Sequence, residues 1–274
     1  MTETEILDQL LLYFETKTPQ TAFRNLEKRE RLKAYLTVWY PSEPLPAAVM
    51  ELADRLFAQE AARLLVTEAA TLPRLSAQMQ GTAYPSAGKC SLWKGDITTL
   101  RADAIVNAAN EQMLGCFTVF HKCIDNAIHS VAGPRLREAC YGLMSAQGHP
   151  EPTGSAKITK GFSLPASYVL HTVGPIVRSG LPTATQQAQL ADCYTQCLDL
   201  AAQNDQIRSV AFCCISTGVF GYPAHLAVTV ALQAVHHWLA SHPDSQVQHV
   251  VFNVFSEADY HIYQKAIEQW PQTL

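Results

Sequence analysis

The stretch Ser216-Thr217-Gly218-Val219-Phe220-Gly221-Tyr222-Pro223 decides the reading of this chain. An apolar strand is expected immediately before it, at 209–215, and a helix immediately after it, at 224–240. The two glycines free the backbone to take positive φ and let a ligand approach closely. Successive N–H groups in such a loop, beside the start of a helix, form a nest for an anion such as a diphosphate. The same residues also suit a plain strand-to-helix turn, so the loop alone leaves both readings open.

Outward from this loop, strands and helices alternate. Short apolar strands are expected at 90–93, 103–107, 168–173 and 249–255, and helices at 123–132, 134–146, 184–203 and 258–270. Alternation of this kind predicts an α/β fold, a largely parallel sheet covered by helices on both faces. Ligands in such sheets bind at the carboxyl ends of strands. The polar loops at 107–110 and 216–222, and Ser256, all fall at such ends. Ahead of the turn-rich break Tyr84-Pro85-Ser86-Ala87-Gly88 the apolar spacing is helical, over 5–14, through Phe23, Leu26, Leu32 and Leu36, and over 46–65. The expected organisation is a helical N-terminal extension over 1–84 packed on a domain over 85–274.

The totals bound the function. With 274 residues, 48% hydrophobic and 16% charged, a sizeable core is expected. A net charge of −4 gives no basic face for duplex nucleic acid, so no nucleic-acid partner is expected. No apolar run reaches the roughly 18 residues of a membrane span. The start, Met1-Thr2-Glu3-Thr4-Glu5, is acidic and unlike a signal peptide. The eight cysteines do not form a disulfide framework: Cys193 and Cys197 fall on a helical pattern and Cys213 and Cys214 in a strand. They read as small buried hydrophobes of a reducing compartment, and a cytoplasmic location is expected.

A second stretch, Gly115-Cys116-Phe117-Thr118-Val119-Phe120-His121-Lys122-Cys123-Ile124-Asp125, gathers two thiols, an imidazole and a carboxylate. Cys and His are the donors zinc prefers, and three of them with no obvious fourth leave an open position, as catalytic sites do. His121 and Cys123 alternate in an extended segment and can face one side. The competing reading is two ordinary thiols and a solvated His. Asp125 suits orienting or deprotonating water, and equally a first-turn charge on a helix. Asn110 offers both donor and acceptor to hydroxyls. Asp96 can accept from an exocyclic amine or cap the turn after Gly95. His129, four residues beyond Asp125, can pair with it. His171, in an apolar strand, reads as a core residue.

Four segments, taken in order, resemble a macrodomain, the ADP-ribose-binding α/β module with a mixed, largely parallel sheet. They are Gly95-Asp96-Ile97-Thr98, Asn107-Ala108-Ala109-Asn110, Ile124-Asp125-Asn126-Ala127-Ile128-His129-Ser130-Val131-Ala132-Gly133-Pro134, and the loop at 216–223. The resemblance covers about 88–270. It implies that Asp96 and Ile97 hold adenine with Phe255 on the same side. It also implies that Ser216, Thr217, Gly218, Val219 and Phe220 hold the diphosphate, and that Asn110, Asp125 and Asn126 serve the distal ribose. Hydrolytic macrodomains of the better-known kind carry a glycine run where this chain has 115–123. That departure resembles the zinc-containing macrodomains of microbial protein-ADP-ribose hydrolases, although Val119 stands where that class commonly has proline. The resemblance then implies one Zn²⁺ per chain on Cys116, His121 and Cys123, with Asp125 and Asn110 in catalysis. It implies a substrate carrying mono-ADP-ribose on an acidic side chain, such as a lipoate or glycine-cleavage carrier protein, and a sirtuin-like ADP-ribosyltransferase as the opposing enzyme. Three rival readings stay open: an ADP-ribose reader without catalysis, a deacetylase of O-acetyl-ADP-ribose, and a structural zinc site completed by His129 or Cys140.

Overall fold

The computed structural model describes residues 1–178 and 180–270; residues 271–274, which fall within the expected second unit, lie outside the described residues. Three helices come first: α1 (Glu3–Lys17), α2 (Lys28–Val38) and α3 (Ala47–Ala61). Thr2 and Glu5 start α1 with a reciprocal capping box, each satisfying a backbone N–H of the other. These helices share an apolar cluster of their own, centred on Ile6, Leu10, Phe14, Leu32, Tyr35 and Leu56. The chain then makes a two-residue strand β1 (Thr67–Glu68) and the single-turn α4 (Leu75–Gln78).

The remaining elements are β2 (Cys90–Lys94), β3 (Leu100–Arg101), β4 (Ala104–Ala109), α5 (Ile124–Ala132), α6 (Pro134–Gln147), β5 (Ala156–Lys160), β6 (Tyr168–Val173), α7 (Ala184–Ala202), β7 (Ser209–Phe212), α8 (Ala224–Ser241), β8 (His249–Val254) and α9 (Glu257–Glu268). β1 pairs with β3 in a two-stranded sheet. The other six strands form one sheet in the order β2-β8-β7-β4-β6-β5, parallel throughout except for β5. Helices α7, α8 and α9 pack side by side, with α7 and α9 against strands, while α5 packs on β4 and α6 on β5. The expected α/β architecture is what the chain forms.

β5 was not expected from the sequence. Its Ala-Lys-Ile-Thr-Lys run carries two lysines and is only half buried. An antiparallel edge strand is exposed enough to need no apolar run, and charged residues there discourage pairing with other chains.

The topology creates a crevice. β4 and β7 are neighbours, but the chain leaves β4 towards β6 and leaves β7 towards β8, on the opposite side. The loops beyond their carboxyl ends therefore diverge, which is the switch point where open α/β sheets take ligands.

Candidate active site

An open cavity of about 440 Å³ occupies this crevice. Of the residues expected at a site, Asn110, Cys116, His121, Cys123, Asp125, Ser216, Thr217, Gly218, Val219, Phe220 and Phe255 all line it. Sequences from the ends of β4, β7 and β8 thus meet in one place.

Asp125 sits in the first turn of α5 and is only 5% exposed. The Asn107 amide, wholly buried on β4, donates 2.8 Å to its Oδ1. Asn110 donates to its Oδ2 at 3.4 Å and to the Gly115 carbonyl at 3.0 Å. His129 Nε2 lies 3.5 Å from Oδ1, so the expected i,i+4 approach is present. Burial pushes the Asp125 carboxyl up to about 6, while the Asn107 bond and the Arg137 charge pull it back down.

Behind Asn107 the polar chain continues inward. The same amide nitrogen lies 3.2 Å from His171 Nδ1, and His171 Nε2 lies 2.9 Å from Thr159 Oγ1. With Asn107 donating to both Asp125 and Nδ1, the neutral His171 carries its proton on Nε2 and donates to Thr159. Burial holds this imidazole down to about 3. His129, Cys140 and His171 bring their ligand atoms within 4.8 Å of one another, but here His171 is already bonded at both nitrogens. Burial also pushes the Cys140 thiol well above its ordinary range. His171 is thus a satisfied core residue, while both ring nitrogens of His129 are buried without a hydrogen-bond partner among the described residues. His129 and Cys140, the candidate fourth ligands, belong to this buried trio rather than to the loop trio.

Cys116, His121 and Cys123 form the other such group, their ligand atoms likewise within 4.8 Å. Cys116 Sγ lies 3.4 Å from His121 Nδ1 and accepts from the Thr118 N–H at 3.4 Å. Burial, with Cys116 and Asp125 nearby, pushes the Cys123 thiol up to about 11. A divalent cation would reverse that balance by replacing the proton. Two sulfurs and one imidazole at this spacing fit zinc.

Asn126, expected at the ribose, points elsewhere. Its side-chain amide donates to the carbonyls of His121 (3.0 Å) and Thr118 (3.4 Å), and it does not line the cavity. One helical step past Asp125 turns it onto the back of the Cys/His loop, which it holds in shape. Asp96 and Ile97 also lie off the cavity wall. Asp96 Oδ1 accepts from the Thr98 N–H (2.9 Å) and hydroxyl (2.7 Å), capping a single 3₁₀ turn. The Ile97 side chain is core. Their link to the site is Asn253, which lines the cavity and donates to the Gly95 carbonyl at 2.9 Å.

The loop after β7 is held in an unusual shape. Ser216 takes φ +64°, a left-handed conformation that a residue with a side chain rarely adopts. Its carbonyl accepts from Tyr222 N–H at 3.0 Å, and the Phe220 carbonyl accepts from Val177 N–H at 2.7 Å. Gly221, at φ +70°, approaches so closely that a Cβ there would stand 2.7 Å from the Val177 carbonyl oxygen. The N–H groups of residues 217–220 find no acceptor among the described residues. Four donors without an acceptor among the described residues, on residues that line the cavity, fit an anion nest.

Sequence reasoning passed over Asn107, Phe117, Cys213, Cys214, Asn253 and Asp259. Asn107 bonds Asp125, and the other five line the cavity. Asn107 left a usable signal, since a polar amide inside a buried strand must have a partner.

Residues 106–231 match the Macro domain family model. A relative from Treponema medium named "Protein-ADP-ribose hydrolase" is 54% identical over 178 residues, which is 65% of this chain and 67% of that protein. A Fusarium oxysporum f. sp. cubense protein named "Probable bifunctional ADP-ribose hydrolase/ADP-ribosyltransferase" is 46% identical over 187 residues, 66% of this chain but only 31% of its own length. The crystal structure of a Trypanosoma brucei macrodomain in complex with ADP-ribose matches with a TM-score of 0.62 at 32% identity, covering 85% of this chain and 94% of that one. Fold, switch-point cavity and these likenesses agree: the chain belongs to the macrodomain family.

Proposed function

We propose that this chain is a hydrolase that removes mono-ADP-ribose from protein side chains, with one zinc ion on Cys116, His121 and Cys123. The observation that carries this reading is the meeting, in one cavity, of a buried carboxylate, a Cys/His trio and four unpaired backbone donors. A reader module has use for the donors but none for the other two. The name of the Treponema relative points to the same reaction.

The N–H groups of 217–220 receive the diphosphate. Phe255, 79% exposed at the rim, offers a face for adenine. Asn110 orients the distal ribose hydroxyls, and Asp125, aimed by Asn107, orients the attacking water. Zinc, when bound, supplies a Lewis acid that polarises a substrate oxygen beside that ribose. One water is consumed, ADP-ribose leaves with the hydroxyl, and the side chain regains its carboxylate. The linkage we infer is thus an ester to an acidic side chain, on a carrier protein of the lipoate or glycine-cleavage type. A sirtuin-like ADP-ribosyltransferase would be the opposing enzyme. The resemblance at 115–125 supports this, and the fungal relative's name, which joins hydrolase and ADP-ribosyltransferase, is in line with an opposing transferase.

The test is release of ADP-ribose from carrier proteins modified through an ester or through an N-glycosidic bond. Turnover of the ester alone is expected. Turnover of neither, with ADP-ribose still bound, would make the chain a reader.

A further inference from the structure

The helical extension meets the 115–123 loop at Tyr40 and, deeper in, through Arg137 of the sheet domain. Arg137, on α6, is 4% exposed. Its Nη1 donates to the carbonyls of Leu36, Thr37 and Trp39, each at 2.8 Å. Those carbonyls end α2, where unsatisfied acceptors and the negative end of the helix dipole favour a cation. The guanidinium carbon also stands 4.7 Å from the centre of the Phe117 ring. The contact continues outward, with the Tyr40 ring 6.0 Å from Phe117 and 5.8 Å from Tyr141. On its other side Arg137 meets the start of the loop. Gly115 has φ +83°, and a Cβ there would lie 3.0 Å from Arg137 Nη2 and 3.0 Å from the His129 ring.

We propose that Arg137 is a positioning residue through which the helical extension holds the 115–123 loop in its working arrangement. The proposal rests on the functional reading above for its kinetic consequence, but its structural core does not. One edge of the guanidinium grips the extension and its face covers Phe117. A lysine keeps the charge and can still donate to carbonyls from one nitrogen, but it loses the flat face that covers the Phe117 ring and the second nitrogen, Nη2, beside Gly115. Other ties between the extension and α6 exist: Arg135 bonds Asp54 at 2.6 and 2.5 Å, and Glu138 accepts from Leu45 N–H at 2.8 Å. These fasten the extension without reaching the loop, which makes Arg135 the proper control.

The experiment compares Arg137→Lys, Phe117→Leu and Arg135→Ala in the full chain. Amide exchange across 115–125 is read alongside zinc retention against a chelator and the kcat/KM split. In Arg137→Lys and Phe117→Leu, the loop is expected to exchange faster. Zinc retention and kcat should each fall about tenfold or more, the range seen when supporting groups behind metal ligands are removed. In Arg137→Lys KM should change little, because Arg137 does not line the cavity. Arg135→Ala should leave all three unchanged. If Arg137→Lys left loop exchange at the wild-type rate, the proposal would be overturned. If wild type itself held no zinc and released no ADP-ribose, the functional reading would fail, while loop exchange would still decide the role of Arg137.

Discussion

At the residue scale, Asp125 is the group on which the proposed chemistry turns. Its burial, its place at the start of α5 and its bonds from Asn107 and Asn110 hold a carboxylate at the cavity wall. Asp125→Asn keeps the shape and removes the acceptor charge. Turnover is expected to fall by about 10²-fold or more, the usual contribution of a positioned acid or base. ADP-ribose binding measured by calorimetry should stay within a few-fold of wild type. His171 makes a separate prediction about stability. Its imidazole stays neutral in the fold down to about 3, against an ordinary value of 6.5. Below about pH 6.5 the unfolded chain takes a proton that the folded chain refuses, so stability is lost as pH falls towards 3, at up to about 1.4 kcal/mol per pH unit. Asp125 acts in the opposite sense, since its raised value favours the fold in acid and that contribution is lost as pH rises through about 6. Denaturant melts of wild type and His171→Gln between pH 4 and 7 separate the two: the difference in stability between them should narrow on acidification.

At the element scale, the loop after β7 stores its geometry in a few contacts. Gly221→Ala combines positive φ with a collision at the Val177 carbonyl. A loss of about 1–2 kcal/mol is expected, with weaker ADP-ribose binding as the nest opens, both readable from one set of melts with and without ligand. This element was legible in the sequence because Gly, Ser and Pro between an apolar strand and a helix leave few alternatives. The same holds for β2, β4, β6, β7 and β8, whose apolar runs end within three residues of where the strands end. β5 was not legible, since an edge strand with two lysines lacks the pattern. Asn126 illustrates a finer limit. Sequence adjacency to Asp125 suggested a shared role, but consecutive helical residues point about 100° apart and do not face the same partner.

At the scale of the whole molecule, the extension and the sheet domain share α6, which carries Arg135, Arg137 and Glu138 in one stretch. No pattern in the sequence could announce that Arg137 is buried, because its partners are backbone carbonyls about 100 residues away. Among the described residues no helix is long and apolar enough to cross a membrane. The sheet topology explains why residues from 108 to 259 converge: neighbouring strands whose connections part company leave one crevice, and the residues at the ends of β4, β7 and β8 open into it. The measurement that tests this account most directly is metal content and ester-linked ADP-ribose release on the same purified sample, before and after chelation, in wild type and Cys123→Ala. One zinc per chain is predicted, with release lost on chelation, restored by zinc and absent in Cys123→Ala. Full release from a metal-free wild type would contradict it.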